Sequence, residues 1–236
     1  MEVFERIQKH PFLSLRREGR VPTLETVGRA IGQYWHPIHF FPDFLASVVA
    51  NAPTLEVKTY VSKILFQELG EGNPKLAHED LYISTMLDCG FSIQTITKSK
   101  PSESTLRLMQ KYRLATRSFE AGLGVLLGTE MIDIYIVAGL RNAVILATGR
   151  SELPWFDIHV KQEPDHTDCS ERSLDTLSGD SKAQVEGHRD DILRLWSAFF
   201  DELEDSASNR VSATLSANSA DPFGSSRSLE NSGTLA

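Results

Sequence analysis

One stretch constrains this chain more than any other: AGLGVLLGTEMIDIYIVAGL, residues 121–140, apolar throughout except for Glu130 and Asp133 near its middle. A run of about 20 apolar residues is long enough to cross a bilayer as a helix. Two carboxylates at the midpoint make a lipid setting costly. The better solution is a rod buried inside a helical protein, wrapped by other helices. That solution poses its own problem. Leu123, Leu126, Leu127, Ile134 and Val137 surround Glu130 at helical spacing, so its carboxylate belongs to the apolar stripe. An ionised carboxylate buried without a partner is destabilising by several kcal/mol. Glu130 must therefore stay protonated, pair with a cation such as Arg141 or Arg113, or bind a metal.

The rest of the chain is consistent with an all-α fold. Thr23 opens a capping pattern that leads into Val27, Ile31 and Tyr34. Pro37 and Pro42 interrupt the following segment, and Pro53 ends the apolar stripe of DFLASVVANAP. Helices are expected over 55–69, 76–87, from Ser102 toward Phe119, on to about Thr148, over 153–177 and over 182–203, with GEGNP at 70–74 as a break. No run alternates like a strand, and no internal repeat is present. The 236 residues, 41% hydrophobic, suffice for one well-buried core over 1–203. Residues 204–236 are Ser-, Asn- and Gly-rich with few large apolar side chains, and are expected to be a disordered tail.

Charge and cysteine content exclude several function classes. The net charge is −8, from 24 basic and 32 acidic residues, which argues against a general nucleic-acid binder. Cys89 and Cys169 are too few for a disulfide scaffold and lack zinc-site spacing. The opening MEVFERIQKHPF has no apolar signal core, so a cytoplasmic protein is expected.

Three segments carry side chains suited to metal binding. In WFDIHVKQEPDHTDC, His159, Glu163 and His166 stand at i, i+4 and i+7, stacked on one helical face. Alone, this row reads slightly better as a solvated face with incidental histidines, since Lys161, Gln162 and Asp165 are nearby, and Pro164 tends to kink or break the helix. Glu130 is the second contribution, with Asp133 one turn on, either beside the site or at the edge of the helix. The third is FQELGEGNPKLAHEDLY, which offers His78 with either Glu68, ten residues before, or Glu71, seven before. Gly70, Gly72 and Pro74 make a continuous helix between them unfavourable, and a bulge there would swing Glu68 onto the side of His78. Together, Glu68, His78, Glu130, His159, Glu163 and His166 supply carboxylates and imidazoles in equal number, a mixture suited to two iron ions. Calcium would not recruit three histidines. A ferritin-like site would need a second Glu-x-x-His pair beside Glu163–His166.

These motifs resemble the haem-oxygenase-like diiron oxidases and oxygenases, whose members carry an iron redox site instead of haem. ELGEGNPKLAH resembles the first ligand helix of that family, with Glu68 and His78. GVLLGTEMI resembles the second, with Glu130, and HVKQEPDH the third, with His159, Glu163 and His166. YWHPIHFFPDFLASVVANAP is similar to the helix that precedes them, and the likeness spans roughly residues 30 to 180. Two departures stand out: Glu163 replaces an aspartate common in relatives, and relatives that space the first pair seven apart would select Glu71 instead.

The resemblance implies a single haem-oxygenase-like bundle of seven helices and two Fe2+ ions held by those six residues, with Glu130 as a catalytic carboxylate. It implies O2-dependent oxidation of a small molecule by N-oxygenation, oxidative C–C cleavage, decarboxylation or nitrile formation. The expected partners are O2 and an amino acid or amine, with no nucleic acid and no membrane, and with a homodimer left open. Tyr34, Trp35, Phe40 and Phe41 are divided between pocket wall and core, and Arg141, Arg150 and Lys161 are candidates to meet a substrate carboxylate. The competing readings are a mononuclear-iron fatty-acid decarboxylase, a thiaminase-type enzyme with a cysteine nucleophile, and a non-enzymatic helical binding module.

Overall fold

The computed structural model describes residues 2–14 and 22–219, and among them every regular element is helical. Seven helices have eleven or more residues: α3 (Leu24–Asn51), α4 (Leu55–Glu68), α5 (His78–Asp88), α7 (Glu103–Ala115), α8 (Phe119–Thr148), α9 (Pro154–Asp175) and α10 (Gly179–Ser219). They make up the expected seven-helix bundle. Three shorter helices, α1 (Glu2–Gln8), α2 (Pro11–Ser14) and α6 (Ile93–Thr97), accompany them. The first two add Ile7, Phe12 and Leu13 to the core, where sequence periodicity was too weak to assign a helix.

α8 is the central rod. It packs against α3, α7, α9 and α10, and its apolar stretch is buried by those neighbours. Its glycines explain how a helix can be enclosed so tightly. A Cβ on Gly124 would lie 2.4 Å from the Val185 carbonyl oxygen, and one on Gly128 would lie 2.3 Å from Ile192 Cγ2. α10 thus rests on a notch that only hydrogen side chains leave open.

Local signals set the helix boundaries. The side chains of Thr23, Thr54, Ser102 and Ser118 each accept a backbone N–H three residues on, capping α3, α4, α7 and α8. Gly149, at φ 72°, ends α8 in the left-handed conformation. α4 ends in a Schellman arrangement: the Glu71 N–H reaches the Phe66 carbonyl at 2.9 Å and the Gly70 N–H reaches that of Gln67 at 2.9 Å.

Prolines and the last helix depart from expectation. Pro37 and Pro42 lie inside α3, and Pro164 inside α9, without ending either helix. Pro164 cannot bond the Val160 carbonyl, but both residues face solvent, where water satisfies the orphaned oxygen. The final helix does not stop at Leu203: α10 continues to Ser219, into the segment expected as a tail. No proline or glycine falls between Gly187 and Pro222 to break it. The remainder of the expected tail, 220–236, lies outside the described residues.

The α8–α10 contact makes a paired prediction. Gly124→Ala should lower unfolding free energy by about 1–3 kcal/mol through overpacking against backbone. Gly187→Ala, exposed on α10 with nothing within 4 Å of the new Cβ, should instead raise it by up to about 1 kcal/mol. Denaturant titration checks both, and equal shifts would contradict the notch.

Candidate metal centre

All six expected ligands are buried and meet in one place. Glu68 is the last residue of α4 and His78 the first of α5, Glu130 lies midway along α8, and His159, Glu163 and His166 line one face of α9. They divide into two triads, Glu68–His78–His159 and Glu130–Glu163–His166, each with its potential donor atoms within 4.8 Å of one another. Donors at about 2.0–2.2 Å from a shared ion stand up to about 4.4 Å apart, so each triad needs only slight contraction to close on a metal.

The structure places Glu68, and not Glu71, beside His78 and His159. A bulged helix does not align Glu68 with His78. The chain leaves α4, turns through Gly70, Glu71 and Gly72 at positive φ, and restarts as α5. This turn sets the last residue of one helix against the first of the next, with Glu68 Oε2 2.9 Å from His78 Nδ1. Glu71 is exposed on the turn and accepts a hydrogen bond from Gln162 Nε2 at 3.1 Å.

Unsatisfied polar atoms show what the cluster is built for. Both ring nitrogens of His78, Nε2 of His166 and Oε2 of Glu163 are buried without a hydrogen-bond partner. The His78–Glu68 contact is short in distance yet lacks hydrogen-bond alignment, as it would if both groups were aimed at a third body between them. Buried polar atoms are normally paired, so several orphans around one cavity mark a site shaped for a ligand that accepts lone pairs. His159 has its tautomer fixed: Nδ1–H donates to the Trp155 carbonyl at 2.9 Å, leaving the Nε2 lone pair for a metal. Imidazole and carboxylate without thiolate suit iron, and the residues present therefore fit it.

The electrostatics agree. Burial opposes ionisation of Glu68, but the His78, His159 and His166 imidazoles outweigh it and hold the carboxyl down at about 2. Burial pushes Glu163 well above the usual carboxylate range, with Asp133 and Glu130 adding to the rise. Burial also raises Glu130, against the pull of His166. His166 would be lowered by burial, but Glu130, 3.5 Å away, together with Glu68 and Asp133 lifts it to about 9. Burial and the neighbouring His78 keep His159 low. With no metal bound, protons on His166 and Glu163 supply the positive charge that the carboxylates require.

A cavity of about 40 Å³ opens on both triads. Its other walls are Tyr34, Pro37, Ile38 and Phe41 of α3, Tyr112, Thr129, Asp133, Trp155 and Trp196. Of the aromatic group noted in α3, Tyr34 and Phe41 face the site. Trp35 stacks on His39, and Phe40 lies under Arg113. Among the described residues no Lys or Arg lines the cavity, so Arg141, Arg150 and Lys161 do not serve it, and Arg141 instead lies 3.6 Å from Asp157. Arg113 and Arg141 are not the partners of Glu130 either; that role falls to His166. Cys89 and Cys169 are buried away from the cavity, with thiols raised by burial, which removes the basis for a cysteine nucleophile. Sequence reasoning noticed Asp133 but not that it closes a third cluster with His159 and Glu163; its position three residues after Glu130 was the available signal.

These shifts predict a pH dependence. His166 is raised above its ordinary value of 6.5, so the stability it provides is complete below about 6.5 and lost as pH climbs through about 9. The raised carboxyl of Glu163 works in the same direction, because the unfolded chain gives up that proton at lower pH. Metal-free protein should therefore lose melting temperature between pH 6.5 and 9. A bound divalent ion displaces those protons, so its affinity should rise over that window with proton release measurable by calorimetry in two buffers. Metal uptake without proton release would contradict the assignment.

Comparisons with known proteins bear on the family and the fold. A family model described as iron-containing redox enzyme matches residues 29–198. No curated protein matches the chain in sequence. Among solved structures, a CADD-like protein of unknown function from Nostoc punctiforme superposes with a TM-score of 0.69 at 14% identity, covering 88% of this chain and 99% of that one. A domain of unknown function with a haem-oxygenase-like fold from Shewanella denitrificans gives 0.71 at 16% identity, covering 87% of this chain and 88% of that one. The fold and the extent of the family match establish that this chain belongs to the haem-oxygenase-like family of iron-containing redox enzymes.

Proposed function

We propose that the chain is a non-haem diiron oxygenase or oxidase that uses O2 to oxidise a small amine or amino acid. The observation that carries this reading is the pair of adjacent buried triads opening on one cavity. A mononuclear site would account for one triad and leave the carboxylates and orphaned nitrogens of the other unexplained.

Iron bound there would supply the electrons and open coordination positions that reduce O2. The protein's own groups have separable tasks. Glu68, Glu130 and Glu163 balance the charge of the ions and accommodate its changes. His78, His159 and His166 fix their positions. Trp155 packs its ring 4.1 Å from that of His159 and 5.0 Å from that of Tyr82, closing the wall against water. The cavity wall favours one substrate class. It offers hydroxyl and carboxylate oxygens that accept hydrogen bonds, but no Lys or Arg to meet an anion. An amine suits such a wall better than a carboxylate, and an amino acid would have to place its carboxylate on a metal. A fatty-acid carboxylate finds no cation among the described lining residues, which weighs against the fatty-acid decarboxylase alternative. The reducing cytoplasm, which maintains ferrous iron and free thiols, is the compartment that suits this chemistry.

Anaerobic titration should saturate at about two equivalents of Fe2+, and O2 should then be consumed faster with amines than with the corresponding carboxylic acids. Glu130→Ala should lose at least one equivalent while keeping its helical circular dichroism. Saturation at one equivalent in the unaltered protein would favour the mononuclear reading.

A further inference from the structure

Asp133 is not among the six ligands that sequence motifs supply, yet its placement is that of a ligand. It lies three residues after Glu130, on the same face of α8, and is buried with 8% of its surface exposed. One of its oxygens lies within 4.8 Å of donor atoms of both His159 and Glu163. Those two residues belong to different triads, so Asp133 stands where the two metal sites adjoin. Its Oδ1 accepts a hydrogen bond from the Tyr34 hydroxyl at 2.8 Å. The Tyr34 ring is itself held between Trp155 and Trp196, at centroid distances of 6.0 and 5.9 Å.

Charge gives an independent reason. Glu68, Glu130 and Glu163 contribute three negative charges against four positive ones on two divalent ions. The wall has no Lys or Arg among the described residues, and the histidines bind metal as neutral imidazoles. Asp133 is the fourth carboxylate in the cavity lining and brings the buried sum to zero. A net charge in a dry interior is costly, and so is a fourth buried carboxylate with no cationic side chain in the described lining.

Building on the dinuclear reading, we propose that Asp133 is a seventh protein ligand to the metal pair, held in position by Tyr34. Tyr34 is then a positioning residue, tethering one carboxylate oxygen so that the other meets the metal.

Equilibrium titration with Co2+, whose visible spectrum reports coordination, tests this without reference to turnover. Wild-type protein should bind two Co2+. Asp133→Asn keeps the shape and an acceptor for Tyr34 but removes the charge. It should weaken one of the two sites by about tenfold or more and change the Co2+ spectrum, whereas Asp133→Glu should recover most of that affinity. Asp133→Asn should also gain less melting temperature from added Co2+ than wild type does. A role confined to accepting the Tyr34 hydrogen bond makes the opposite prediction, with Co2+ affinity and spectrum unchanged, and that result would overturn the proposal. Tyr34→Phe provides a second test that leaves the carboxylate intact: loss of affinity at one site supports the tether, and wild-type affinity and spectrum overturn it. A wild-type stoichiometry of one would overturn the dinuclear reading and this proposal together; two ions bound with an indifferent Asp133→Asn would overturn this proposal alone.

Discussion

Concentrating carboxylates inside an apolar bundle is the constraint around which this molecule is organised. Glu68, Glu130, Asp133 and Glu163 are all buried, and among the described residues the cavity lining around them provides imidazoles and hydroxyls but neither lysine nor arginine. Such an interior is tolerable only if positive charge is brought in, as protons or as metal ions. The fold serves that demand. α9 carries a row of three of the clustered side chains, α8 carries Glu130 and Asp133, and the α4–α5 turn brings in Glu68 and His78 from helix ends.

Much of this was legible because the relevant signals are local. The i, i+4, i+7 row of His159, Glu163 and His166 and the carboxylate stranded in the apolar stripe of α8 follow from helical periodicity alone. Seven long helices and most of their boundaries lie where the sequence pattern places them, and the six motif-derived residues are buried together. The resemblance to a known family supplied what periodicity could not, namely the metal and its redox chemistry, and the family match confirms that coarser identity.

What was not legible depends on contacts between distant segments. Nothing local distinguishes Glu68 from Glu71; a turn through Gly70, Glu71 and Gly72 at positive φ sets Glu68 beside His78 and leaves Glu71 exposed. Asp133 acquires its importance from Tyr34, which lies on another helix. The prolines misled for a related reason. A proline costs a helix one hydrogen bond and some crowding, and packing of α3 and exposure of Pro164 on α9 absorb that cost. α10 runs past Leu203 to Ser219 because polar composition without a proline or glycine does not by itself end a helix.

The walls of the cavity differ in how far they can be altered. On the α8 side, the glycine notch fixes the distance to α10, so bulk added there collides with backbone. On the α3 side, Pro37 and Pro42 have already removed main-chain bonds, and Pro37, Ile38 and Phe41 form the lining. A helix with missing rungs bends at little expense. Divergence in what these proteins accept can therefore accumulate along α3 while the ligand frame opposite stays constant, much as one jaw of a vice is adjusted against a fixed anvil.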